Sequence, residues 1–184
     1  MPHRLFSKPP ARLRAIATAA LLALLVLPAA LPAAELEISV EIPRLNVSEY
    51  HRPYVAMWLE RPDHSVAANL AVWYDVEMKA GEGSKWLKDM RQWWRRSGRS
   101  TPMPVDGVSG ATRPAGQHQL RFNDEKGPLK GLPPGKYELV IEAAREVGGR
   151  EVVSVPITWP GSSPQQLKAK GTSELGQVRV SITP

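Results

Sequence analysis

The sequence predicts a mainly β protein: an immunoglobulin-like β-sandwich of about seven strands, with one inserted amphipathic helix and a Pro-flanked loop. Three observations carry that expectation. Several segments alternate apolar and polar residues with a period of two. Turn-forming residues separate them, with 18 Pro and 14 Gly beside 42% hydrophobic content, which suits many short elements better than a helical bundle. One segment switches to helical spacing and breaks the pattern.

Leu36, Ile38, Val40 and Ile42 alternate with Glu35, Glu37, Ser39 and Glu41, so the first strand buries one face and wets the other. Pro53 to Glu60 and Val66 to Tyr74 follow, and Arg61-Pro62-Asp63-His64-Ser65 between them has the turn chemistry of a hairpin. Gln117 to Asn123 is a short strand carrying Leu120 and Phe122. Lys136 to Glu146 and Arg150 to Trp159 flank Gly148-Gly149, which are expected to supply the positive backbone angles of a tight turn. Leu132-Pro133-Pro134-Gly135 is the turn that enters the first of these two strands, and Gly176 to Thr183 closes the set.

The exception is Ser84 to Arg96. Trp86, Leu87, Met90, Trp93 and Trp94 fall at helical spacing with Lys and Arg on the other face, which predicts a helix over 84–97 that Gly98 stops. Arg99 to Gly116 has neither periodicity and carries Pro102, Pro104 and Pro114. A helix and a loop interrupting a sandwich point to a functional insertion rather than scaffold.

Residues 1–34 have the layout of a cleaved secretory signal. Arg4, Lys8, Arg12 and Arg14 precede an uncharged apolar run from Ala15 to Leu27, and small residues end at Ala33-Ala34. That run is short for a permanent span of roughly 18 to 20 residues, although an uncleaved anchor is the alternative. The mature chain is therefore expected to be a periplasmic sandwich domain over 35–184, not embedded in the membrane. Export also reinterprets the formal charge of +6: without the four leading cations, 20 positive residues face 18 negative ones. Seven cations, Lys79, Lys85, Lys88, Arg91, Arg95, Arg96 and Arg99, cluster in one segment against Glu82 and Asp89. Such a cluster is either a solvated face or a docking patch, and in an exported chain nucleic acid is a poor partner. The chain has no Cys, which excludes thiol nucleophiles and thiolate-ligated metals. His51, His64 and His118 show no metal spacing, and no Ser-His-Asp set or Gly-rich nucleotide loop is present.

Within the loop 99–116 lies Asp106-Gly107-Val108-Ser109-Gly110-Ala111-Thr112. It resembles the signature D-x-x-[ST]-G-A-[ST], at which a secreted FAD:protein FMN transferase esterifies the phosphate of FMN to the last hydroxyl, as in subunits of sodium-pumping quinone reductases. Each defined position matches. The resemblance implies covalent FMN on Thr112, and Ser109 and the glycine backbone amides, that of Gly110 among them, are expected to hydrogen-bond the phosphate. Small side chains at 110 and 111 suit a loop that must enter another enzyme's cleft. Asp106 either orients the loop or approaches the transferase's metal. Trp93 and Trp94 are the flat surfaces nearest in sequence for the isoalloxazine ring, though both also fit a core role, and Arg113 is among the cations nearest the loop.

A second resemblance spans nearly all of Leu36 to Thr183. Tyr54-Val55-Ala56-Met57-Trp58-Leu59-Glu60, Leu70-Ala71-Val72-Trp73-Tyr74 and Lys85-Trp86-Leu87-Lys88-Asp89-Met90-Arg91-Gln92-Trp93-Trp94 look like a family of predicted periplasmic bacterial proteins classed as a domain of unknown function. Members often carry the Ser-Gly-Ala-Thr segment and are often encoded beside PepSY-type membrane proteins. Together the resemblances imply a periplasmic electron carrier, more a redox carrier than an enzyme with its own substrate, relaying electrons from a PepSY-type or other membrane reductase to an extracytosolic acceptor. The alternative is a non-redox binding module that recognises a membrane protein or an anionic envelope component through the basic Trp-rich helix.

Overall fold

The computed structural model describes residues 33–184, so the leading segment, with its expected signal and cleavage site, lies outside the described residues. The chain is mainly β. Two sheets face each other, one of order β5-β1-β9-β8 and one of order β4-β3-β2-β6-β7. The strands are β1 (Glu35–Ile42), β2 (Tyr54–Glu60), β3 (Val66–Tyr74), β4 (Ser109–Ala111), β5 (Gly116–Asn123), β6 (Gly135–Ala144), β7 (Arg150–Trp159), β8 (Gln165–Lys170) and β9 (Gln177–Thr183).

The expected strands form close to their expected limits, and two further strands bring the number from about seven to nine. The first addition, β8, reads Gln-Gln-Leu-Lys-Ala-Lys. Its inward positions are only half-buried, so its alternation is faint in the sequence. The second, β4, is three residues of the flavinylation-like motif itself, in a stretch expected to be irregular. It runs parallel to β3, with Val72 opposite Ser109 and Tyr74 opposite Ala111. Small residues without side-chain periodicity gave no strand signal there.

Alternate residues of both sheets meet in one core. Leu36, Ile38 and Val40 from β1 and Val178, Val180 and Ile182 from β9 pack with Val55, Met57 and Leu59 from β2 and Leu139 and Ile141 from β6. Tyr137 anchors the turn before β6 by donating its hydroxyl hydrogen to the Pro133 carbonyl at 2.8 Å. The hairpin between β6 and β7 departs from expectation: the positive φ falls on Val147, at 51°, and not on Gly148 or Gly149. Those glycines serve close approach. A Cβ on Gly148 would stand 2.4 Å from the Arg145 guanidinium carbon, and one on Gly149 would stand 2.8 Å from Glu174 Oε1.

The predicted helix 84–97 is in fact two pieces. A 3₁₀ segment covers Lys79–Asp89, Met90 breaks the path at φ −76° and ψ 73°, and α1 covers Arg91–Arg96. Burial and a buried carboxylate explain the break. Leu87, Met90 and Trp93 all lie on the outer face of the five-stranded sheet, against Ala56, Trp58, Val72 and Val140. Glu142 on β6, fully buried, accepts the N–H of Gln92 at 3.0 Å and of Trp93 at 2.7 Å, so α1 restarts on a carboxylate that satisfies its free amides. Gly98 follows Ser97 because a Cβ there would stand 2.5 Å from the Trp93 ring.

Candidate functional site

Strand register gathers distant segments at one end of the five-stranded sheet. Tyr54 pairs with Ala144, Ala144 with Arg150, Val55 with Trp73, and Tyr74 with Ala111. The starts of β2 and β7 therefore sit beside the ends of β3, β4 and β6. Thr112 is the first residue past β4, half-buried, with its N–H donated to the Tyr74 carbonyl at 3.2 Å. It opens onto a cleft of about 800 Å³, walled by Asp75, Trp86, Arg91, Arg145 and Arg150 among others. Ligand sites fall in this size range.

The motif residues before Thr112 hold it there. Ser109 N–H is donated to the Val105 carbonyl at 2.9 Å, Gly107 takes φ 70°, and Ser109 Oγ accepts the Val105 N–H at 2.8 Å. These bonds close a tight turn that feeds straight into β4, with Asp106 exposed in the turn. The Ser109 hydroxyl, expected beside a phosphate, thus has a structural partner as acceptor. Gly110 differs from Gly107. Its φ is not positive, and a Cβ would stand 3.4 Å from Trp73 Cδ1, an ordinary contact. Arg113 is placed over the Trp73 ring, 5.4 Å from its centroid, and does not line the cleft.

The cleft's charges come mostly from outside the cation-rich segment. Arg91 belongs to that segment and lines the cleft, but Arg52 and Arg145 come from two other loops and Arg150 from the start of β7, and the carboxylates Asp75, Asp89 and Glu146 line it as well. Arg145 is bound through Nε and Nη2 to Glu174 at 2.9 and 3.0 Å, and both side chains are nearly buried. The Glu174 hydrogen bonds outweigh burial and hold the Arg145 guanidinium above its ordinary pKa. Its Nη1 is buried without a partner. Arg150 is paired with Glu142. Burial pushes the Tyr54 phenol up, only partly offset by a backbone hydrogen bond from Asp75, so at neutral pH it is an uncharged hydroxyl in the wall. Arg95, Arg96 and Arg99 lie elsewhere: Arg96 faces Glu60 at 3.6 Å, and Arg95 Nε bonds the Arg91 carbonyl.

Neither tryptophan expected beside the flavin lines this cleft. Trp93 is fully buried in the layer over the sheet, its indole N–H donated to Asn69 Oδ1 at 2.9 Å, so no ring face is open. Trp94 is half-buried and lines a separate hollow of about 290 Å³ with Leu87, Gly98 and Met103. Trp86 does line the cleft, with half its surface exposed and Lys88 Nζ 5.8 Å from the ring centroid. Helical spacing grouped Trp86 with the buried residues. In the 3₁₀ segment Leu87 faces the sheet and Trp86 is exposed.

At the opposite end of β2, ligand atoms of Glu60, His64 and Glu138 lie within 4.8 Å of one another, brought together by the pairing of Glu60 with Glu138. The Glu60 carboxylate there already accepts from Trp58 Nε1 at 2.9 Å and bonds His64 at 3.1 Å, with Arg96 nearby.

Among the described residues no helix is long and apolar enough to cross a membrane. No curated protein and no solved structure matches the chain. A family model described as "predicted periplasmic protein (DUF2271)" matches residues 35–177, from the first residue of β1 to the first of β9. With most of its length covered by that match, and in keeping with the export expected of residues 1–34, the chain belongs to this family of predicted periplasmic proteins.

Proposed function

We propose that the protein is a periplasmic electron carrier whose FMN is joined through its phosphate to Thr112 by an FAD:protein FMN transferase. One observation carries this reading: Thr112, whose hydroxyl ends the D-x-x-S-G-A-T motif, lines a ligand-sized cleft immediately after a strand that is itself a sheet edge. An edge strand leaves one side open to an approaching enzyme. Gly110 adds support, because neither its backbone angles nor its neighbours require glycine. A need for room around Thr112 accounts for it, whereas the turn accounts for Gly107.

In the attachment step Thr112 Oγ bonds to the phosphorus on the FMN side of the FAD pyrophosphate. The bond to the AMP oxygen breaks, AMP leaves, and the hydroxyl proton passes to a base of the transferase. The cleft's donor set suits a flavin. Arg52 and Arg91 are exposed cations at its walls, Arg145 and Arg150 are fixed by buried carboxylates, and Trp86 and Met78 are apolar. Bound there, FMN would supply electron transfer, and the chain would supply position and a surrounding field. The donor in this reading is a PepSY-type or other membrane reductase, and the recipient is an extracytosolic acceptor.

Coexpression with the transferase tests the attachment. A denaturing gel should show a flavin-fluorescent band for the wild type and none for Thr112→Ala, with intact mass higher by one FMN less water. A dark wild-type band overturns the reading and favours the non-redox binding module, whose exposed surface would be Lys85, Trp86 and Lys88.

A further inference from the structure

Six tryptophans occupy the chain, and the structure accounts for five of them by packing. Trp58, Trp93 and Trp159 are fully buried, Trp73 is nearly so, and Trp94 packs against the layer over the sheet. Trp86 is different. It is half exposed and belongs to neither apolar cluster, yet the backbone on both sides of it is anchored. Leu87 beside it is 1% exposed on the sheet. Gly83, three residues earlier, fits so closely to the Asp75 backbone that a Cβ would overlap its carbonyl oxygen. This large flat apolar side chain, left half exposed outside both apolar clusters, lines the same cleft as Thr112.

We infer that Trp86 is the stacking platform for the isoalloxazine ring, a flat heteroaromatic group tethered at Thr112 in the same cleft. This rests on the attachment at Thr112 and adds where the ring goes. The tether raises the effective concentration of the ring at Trp86 to about the mM range, so an intrinsic dissociation constant of about 1 mM would seat it half the time. The stack must reach that level together with burial of the ring's apolar area and its other contacts in the cleft. Met78, 37% exposed, extends the apolar wall, and Arg91 and Arg52 offer donors to the polar edge of the ring. Trp93 and Trp94, the sequence-expected platforms, are excluded by their burial and by the separate hollow.

The test uses the full chain coexpressed with the transferase, with flavin content measured after denaturation and the native flavin read by fluorescence anisotropy and iodide quenching. Trp86→Ala should carry as much flavin as wild type but show a several-fold increase in iodide quenching and a fall in anisotropy toward that of free FMN. Trp86→Phe should keep most of the anisotropy, and Trp94→Ala should match wild type. Equal anisotropy and quenching in flavin-loaded wild type and Trp86→Ala would overturn the platform while leaving the attachment intact, and so would release of the ring by Trp94→Ala. A wild type without flavin removes both.

Discussion

The outer faces of the two sheets are built on opposite terms. In the four-stranded sheet, β9 keeps Val178, Val180 and Ile182 inside and presents Arg179 and Thr183 to solvent, and β8 likewise exposes Gln166, Lys168 and Lys170. In the five-stranded sheet, β2 is buried along nearly its whole length, and β6 is buried from Leu139 to Ala144. Its outer face carries Ala56, Trp58, Val72 and Val140 under a lid of Leu87, Met90 and Trp93. The insertion between β3 and β4 is therefore a third layer, and the cleft with Thr112 forms where that layer meets the sheet's end. A bare face makes scaffold. The covered face makes the cavity wall.

The sharpest way to break this contrast is to remove the centre of the covering layer. Trp93→Ala should cost about 3 to 5 kcal/mol, since it opens a cavity and strands the Asn69 amide. Lys168→Ala, on the bare face, should stay within roughly 0.5 kcal/mol. Urea denaturation of both variants checks the pair. Similar costs would mean that the layer rests on the sheet without packing into it.

A smaller effect is expected where the layer is tied down electrostatically. Glu142→Gln replaces a buried carboxylate that accepts two amides of α1 and faces Arg150, so one amide or the guanidinium loses its partner. The expected loss is about 2 to 3 kcal/mol, with weaker near-ultraviolet tryptophan dichroism as α1 loosens. Unchanged dichroism with full stability would show that apolar contacts alone seat the helix.

The same contrast explains what the sequence discloses. The bare face was legible, because alternation in β1 and β9 is the direct imprint of one wet side. The covered face was half legible. Val55, Met57 and Leu59 alternate with Ala56 and Trp58, and apolar residues of both parities already signal a strand buried on both faces. The motif singled out Thr112 as the candidate, because its residue types are local. The cleft around it was not legible: Arg52, Arg145 and Arg150 reach it through cross-strand register between segments far apart in sequence. Trp86 was grouped with Leu87, Met90 and Trp93 because the spacing was read as one regular helix, whereas the chain forms a 3₁₀ segment, a break at Met90 and then α1, whose first amides reach Glu142 on a distant strand.

The smallest loss expected from removing a carboxylate that ties elements together is at the join between the two sheets. Glu151 on β7 belongs to the five-stranded sheet, but its carboxylate accepts the N–H groups of Thr172, Ser173 and Leu175 in the loop between β8 and β9. Burial works against its charge, yet the backbone donors of Thr172, Leu175 and Ser173 together prevail and lower its pKa from 4.5 to about 2. A folded-state pKa below the unfolded one gives stability that is present above about 4.5 and is lost as pH falls through 2. Because the side chain is partly exposed, Glu151→Gln should cost only about 1 to 2 kcal/mol at pH 7. The gap between wild type and variant should then close between pH 5 and pH 2, as protonation disarms the wild-type carboxylate. Denaturation curves across that window check the sign. A constant gap would mean that shape, and not charge, holds the loop at Glu151, leaving the Arg145–Glu174 pair as the charged tie between this loop and the five-stranded sheet.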